Sequence, residues 1–252
     1  AAFRHMQRAL IATDNRPTAT PQQRVRFEPD NAIAALIELW EILEAAGVRP
    51  FLAAGTLLGF YRSGAPLPHD RDVDVGILCS ADNAPDICGL LRRHSALLLA
   101  LSARPGDRYF ALSHQGVAAD IFLYEMRDDH VLCGLSAHEG DIQWRFSRFA
   151  LAEVRYGGRE WRVPDAPGRY LAESYGPGWQ APDKGYASAV SSPALHQVSP
   201  YTRAYYAAAR ARRARLAGDM VKAAALLDQC PFPVHRPAPD VPPQTSEGDR
   251  RP

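Results

Sequence analysis

The sequence predicts an α+β protein, a mixed β-sheet flanked by helices with a helical appendage at its C-terminal end. Short runs in which apolar and polar residues alternate recur between residues 48 and 163, and each reads as a strand. Apolar residues at helical spacing precede and interrupt those runs, and residues 200–229 read as one or two further helices.

The first 29 residues are polar, and Pro17, Pro21 and Pro29 break any long helix, so 1–29 is expected to be an irregular lead-in. Asp30 or Asn31 can cap a helix carrying Ile33, Leu36, Ile37, Trp40 and Leu43 at helical spacing, with Gly47 as its stop. Residues 48–54 read as a buried strand and 56–62 as a helix, with Gly55 at their junction. After a loop over 63–68, residues 72–78 alternate Val73, Val75 and Ile77 against Asp72, Asp74 and Gly76 as a second strand. Ser80 or Asp82 is expected to cap a helix through Arg93, followed by strands over 97–102, 109–113 and 118–125. Gly157-Gly158 marks the turn of a hairpin over 153–156 and 160–163. A short helix over 165–175 is closed by Gly176-Pro177-Gly178. The expected organisation is a catalytic domain over 30–190, a helical segment over 191–230, and a proline-rich, disordered tail over 231–252.

With 252 residues, 46% hydrophobic, 23% charged and a net charge of +1, the composition is that of a soluble globular protein. Such a balance gives no global reason to expect nucleic acid or an anionic membrane as a partner. Cys79, Cys88, Cys133 and Cys230 form no CxxC pair, which fits reduced thiols better than disulfides or a zinc ribbon. No signal peptide is apparent, and the longest apolar run, 96–101, is far shorter than the roughly 20 residues of a membrane span. The expected location is cytoplasmic, at most peripheral to the inner face of a membrane. Oligomeric state is left open, and the start at Ala1 suggests a domain of something larger.

The chemistry concentrates in residues 51–78. Asp70, Asp72 and Asp74 stand at i, i+2 and i+4, so an extended run aims all three carboxylates at one face. Asp120 opens the apolar-rich IFLY run of another strand, and if the two strands pair, it joins Asp72 and Asp74. Oxygen ligands of this kind suit Mg²⁺ or Mn²⁺ and the charge of a transferring phosphoryl group. An isolated Asp-x-Asp run often matches by chance. Its combination with Gly55-Thr56-Leu57-Leu58-Gly59 and Asp120 is the signal.

That combination resembles the LicD and fukutin family, within the nucleotidyltransferase superfamily fold. The matching residues are Gly55-Thr56-Leu57-Leu58-Gly59, Arg62, Pro68-His69-Asp70-Arg71-Asp72-Val73-Asp74 and Ala119-Asp120-Ile121-Phe122. Val163-Pro164, Tyr170-Leu171 and Tyr175-Gly176 follow in order, and the resemblance covers about residues 32–184. It implies transfer of a phosphorylated alcohol, such as an alditol phosphate or phosphocholine, from CDP-ribitol, CDP-choline or a similar donor to a saccharide hydroxyl, with release of CMP. The acceptor would belong to a surface polysaccharide. By the same resemblance Asp72 and Asp74 are metal ligands and Asp120 is a third ligand or a general base. Gly55, Thr56, Arg62, Asp70, Tyr175 and Lys184 line the donor site. Where many bacterial relatives carry Trp-Asp-Asp-Asp, this chain has His69 and Arg71, and alternation aims Arg71 away from Asp70 and Asp72.

Two rival readings stay open: transfer of NMP from an NTP to a small molecule or protein, and a non-catalytic nucleotide- or glycan-binding domain of a larger synthase. His130, Cys133 and His138 fit no standard zinc spacing. Tyr170, Tyr175, Trp179 and Tyr186 could stack on a ring of the donor or pack in the core. The arginines of 203–215 could attract a phosphorylated polymer or a membrane-bound acceptor, and read by default as a solvated helix face with alanines packing inward.

Overall fold

In the computed structural model, residues 27–68 and 70–233 are described, Ala81 by its backbone alone. The expected disorder of the tail and nearly all of the lead-in lie outside the described residues, as does His69. Helix α1 (Pro29–Ala45) starts ahead of both expected caps, Asp30 and Asn31. Pro29 has its φ fixed near the helical value and lacks only an N–H that the first turn would leave unpaired. Asp30 therefore falls inside the first turn, and Leu36, Leu39, Trp40 and Leu43 form the buried stripe. Strand β1 (Pro50–Leu52) leads into α2 (Ala54–Ser63), and β2 (Asp72–Ser80) follows. A single 3-10 turn (Ala81–Asn83) precedes α3 (Ile87–Arg93).

The remaining strands are β3 (Leu97–Leu99), β4 (Tyr109–His114), β5 (Val117–Met126), β6 (His130–Gly134) and β7 (Gln143–Ser147). A separate hairpin of β8 (Leu151–Tyr156) and β9 (Arg159–Pro164) precedes α4 (Pro167–Tyr175), α5 (Ser188–Ser191), α6 (Pro200–Leu216) and α7 (Met220–Asp228). The main sheet runs β1-β2-β5-β4-β3, with β6 on β5 and β7 on β6. Its β2–β5 pair is parallel and every other pair in it antiparallel. The fold is α+β.

The parallel pair divides the sheet chemically. On one face Val73, Val75, Ile77, Ala119, Ile121 and Leu123 are buried. Helix α1 is tied to this side through Glu38 Oε2, 2.8 Å from His114 Nε2. On the other face Asp72, Asp74 and Asp120 give way, two residues further along, to an aromatic floor. Phe51 sits there with its ring 5.0 Å from Tyr124 and 5.6 Å from Phe149. Gly76, opposite Phe51 in the ladder, makes room for that ring: a Cβ at Gly76 would come within 2.2 Å of it.

Several expected boundaries shift for local reasons. Helix α3 begins at Ile87 because Pro85 cannot continue a helix from Ser80 or Asp82 and holds Ala84 extended. Its cap is Asp86, whose Oδ1 accepts the Gly89 N–H at 2.8 Å. Strand β1 is shorter than residues 48–54, and β3 ends at Leu99. Strands β6 and β7 lie where no strand was expected; His130 and Cys133 belong to β6. Gly218, at φ +79°, separates α6 from α7. Gly76→Ala is predicted to destabilise by about 1–3 kcal/mol through overpacking. In urea unfolding, Phe51→Leu combined with Gly76→Ala should cost less than the two changes summed.

Candidate active site

Strand β2 starts at Asp72, and its parallel register sets Asp74 opposite Asp120 and Asp72 opposite Ala118. All three carboxylates thus rise from one face of two adjacent central strands. Asp70 precedes the strand in a tight turn: its N–H donates to the Leu67 carbonyl at 3.0 Å and its Oδ2 accepts the Leu67 N–H at 3.3 Å. The expectation of one extended run from 70 to 74 therefore stops short of Asp70. The turn nevertheless brings it to the cluster: a Cβ on Gly55 would lie 3.0 Å from Asp74 Oδ2 and 3.8 Å from Asp70 Oδ1.

Asp74 is fastened at three points by the junction of β1 and α2. Where the β1 ladder ends at Leu52, the Ala53 N–H donates to the Asp74 carbonyl at 3.3 Å. The Asp74 N–H donates to Thr56 Oγ1 at 2.7 Å, and the Gly55 N–H donates to Asp74 Oδ2 at 2.8 Å. Ala54 adopts φ +40°, a conformation that costs a non-glycine residue about 1–3 kcal/mol. Its N–H donates to the Tyr170 hydroxyl at 3.3 Å, and that hydroxyl lies 2.6 Å from the Tyr124 hydroxyl. Gly55 thus holds the Asp74 carboxylate and the fully buried Thr56 its amide, where the resemblance implies that both hold a donor phosphate.

Confining these acids has an electrostatic consequence. Burial first, then the charges of Asp72, Asp120 and Asp70, push the Asp74 carboxyl well above its ordinary value. Burial raises Asp72 against the opposing charges of Arg210, Arg71 and Arg213. Burial and Asp72 push Asp120 up to about 6, with the Tyr109 hydroxyl, which donates to Asp120 Oδ1 at 3.0 Å, working the other way. Like charges at this density call for a counter-charge, and an all-oxygen donor set fits a hard divalent cation. Among the described residues, no group of three or more His, Cys, Asp or Glu side chains is placed so as to hold a metal ion by itself.

The other expected residues fare differently. The Arg62 guanidinium donates from Nη2 to the Trp179 carbonyl, and to that of Ala181 at 3.2 Å, so it braces the turn after α4. Tyr175 stands near the cluster: burial, Tyr186, Asp74, Tyr170 and Asp70 all push its hydroxyl upward. Its ring packs 4.8 Å from that of Tyr186, while Trp179 packs 5.2 Å from Tyr61. Lys184 is exposed on the loop before α5. Sequence reasoning missed Tyr109, whose i, i+11 relation to Asp120 becomes a contact only through the antiparallel β4–β5 pairing. It read the α6 arginines by default as a solvated face; Arg213 is exposed, and the charges of Arg210 and Arg213 nonetheless act on Asp72 from that distant element.

Residues 47–165 match the family model described as LicD/FKTN/FKRP, nucleotidyltransferase domain. Over that stretch, just under half of the chain, the sequence is similar to this family. Mouse ribitol-5-phosphate transferase FKTN is 30% identical over 174 residues, covering 63% of this chain and 37% of the relative. The human protein of that name is 31% identical over 147 residues, covering 56% and 32%. The chain thus matches about a third of each relative's length. Among solved structures, ANT(2")-Ia in complex with adenylyl-2"-tobramycin aligns at a TM-score of 0.40 and 10% identity, over 79% of this chain and 98% of that one. The LicD/FKTN/FKRP match includes Gly55, Thr56, Arg62 and all four acids of the cluster. Tyr175, Lys184, Arg210 and Arg213 lie beyond it.

Two outcomes follow for this domain. Thr56→Val removes the acceptor for the Asp74 N–H and should destabilise by about 1–3 kcal/mol in chemical denaturation, with Thr56→Ser close to the parent. In chelator-treated protein, Asp120 titrates near 6 when folded against an ordinary 3.8. Because the folded value is the higher, its favourable contribution is complete below the lower value and is lost as pH rises through the upper one. Asp120→Asn should therefore gain thermal stability over the parent at neutral pH, and the gain should shrink as pH falls from about 6 towards 4.

Proposed function

We propose that this chain transfers a phosphorylated alcohol, ribitol phosphate foremost, from a CDP-activated donor to a saccharide hydroxyl and releases CMP. The observation that carries the reading is the convergence of Asp72, Asp74 and Asp120 on one face of the parallel β2–β5 pair. The resemblance to ribitol-5-phosphate transferases over the domain that bears them supports the choice of group. The acceptor oxygen bonds to the distal phosphorus, the bond from that phosphorus to the bridging oxygen breaks, and CMP leaves with the electron pair.

Asp72 and Asp74 would hold a divalent cation, which when bound neutralises charge on the donor diphosphate. Asp120 takes the proton of the attacking hydroxyl. The Tyr109 hydroxyl orients Asp120 through Oδ1, and a carboxyl brought to about 6 is matched to accept a proton near neutrality. Gly55 and Thr56 keep Asp74 in place, while Arg210 and Arg213 supply positive charge for the donor phosphates from the side of α6.

Purified protein offered CDP-ribitol, CDP-glycerol and CDP-choline with glycan acceptors tests the reading. Acceptor-dependent CMP release is expected, falling by about 10²–10³ in kcat for Asp74→Asn and for Asp120→Asn. No CMP with any pair, or pyrophosphate formed from an NTP instead, would count against it. Tyr109→Phe removes a bond that lowers the Asp120 value, so the acidic limb of the pH–kcat/KM profile should move to higher pH.

A further inference from the structure

Beyond the carboxylate cluster, three exposed apolar side chains of the C-terminal helices gather at one place, while Tyr201 and Tyr205 lie toward the other end of α6. Leu216 ends α6, Met220 and Val221 open α7, and the turn between them is only three residues long. Their exposures are 61%, 59% and 75%, so all three project from a single corner. Isolated exposed apolar residues need no explanation, whereas three on one protruding turn do. The flanks are basic: α6 carries five arginines and no acidic residue, and Lys222 follows Val221. Against these stands Asp219, which caps α7 by accepting the Lys222 N–H at 2.9 Å.

We propose that the α6–α7 corner seats the chain on an anionic lipid bilayer, with Leu216, Met220 and Val221 entering the headgroup boundary and Arg212, Arg215 and Lys222 meeting lipid phosphates. The chemistry selects this partner. Protruding apolar side chains beside cations suit a soft, negatively charged plane, where insertion and charge attraction add. The charge of Arg213, three residues before Leu216, acts on Asp72, so the corner lies on the helix whose charges reach the carboxylate site. The inference does not rest on the transfer reaction, and its test reads binding alone.

The full chain is sedimented with vesicles of phosphatidylcholine alone and of phosphatidylcholine with one third phosphatidylglycerol, at low and high salt. Binding is expected to the anionic vesicles, weakened by salt, and absent from the neutral ones. Leu216→Ser/Val221→Ser and Arg212→Gln/Lys222→Gln should each weaken it about tenfold or more, with far-UV circular dichroism unchanged. Equal binding to neutral vesicles, no binding to anionic ones, or unchanged binding in either double variant would overturn the proposal. So would a lower oligomeric mass of the apolar variant with its lipid binding intact, because the corner would then be a contact between copies of this chain.

Discussion

Thr56 Oγ1 accepts the Asp74 N–H at 2.7 Å while the neighbouring Gly55 N–H reaches the Asp74 carboxylate at 2.8 Å, so the first turn of α2 holds one residue of β2 by backbone and side chain together. Those bonds decide where the central acid stands. They also set the angle at which α2 leaves β1, because Ala53 completes the ladder on the Asp74 carbonyl. Ala54 is held in its positive-φ conformation by this junction and by the Tyr170 hydroxyl behind it. The aromatic floor of Phe51, Tyr124, Phe149 and Tyr170 supports the junction from beneath.

Holding acids together in this way opposes stability, and the molecule carries several partial compensations. Gly55 lowers the Asp74 value, Tyr109 lowers that of Asp120, and Arg210 acts on both Asp72 and Asp120. None prevails over burial, since all three carboxyls remain raised. A site that is costly to keep charged without a partner is suited to recruiting cationic charge together with a phosphorylated substrate. Tyr109 and Arg210 also break the equivalence of the acids, since Asp120 alone is bonded to the tyrosine.

The elements that set up this site were legible in sequence where period and punctuation coincided. Alternation in β2 placed Asp72 and Asp74 on one face, and Gly157-Gly158 marked the β8–β9 turn, where both glycines have positive φ. What escaped detection depended on long-range pairing. Val131 and Phe146 became recognisable as neighbours only when β6 and β7 paired, because each strand is five residues long and carries polar ends. The approach of Arg210 to the acids depends on how the alanine face of α6 packs, and no local spacing encodes that. Arg62 and Thr56 were noticed for their types, yet their partners, the carbonyls of a later turn and the amide of Asp74, follow from the fold.

The claim at the centre is that Asp72 and Asp74 bind a divalent cation while Asp120 handles a proton. Mn²⁺ titrated into the purified chain and followed by electron paramagnetic resonance, with CDP-ribitol present, separates the two roles. One bound Mn²⁺ is predicted for the parent and for Asp120→Asn, with strongly weakened binding in Asp72→Asn and Asp74→Asn. Equal Mn²⁺ affinity in all four proteins, or loss confined to Asp120→Asn, would contradict it.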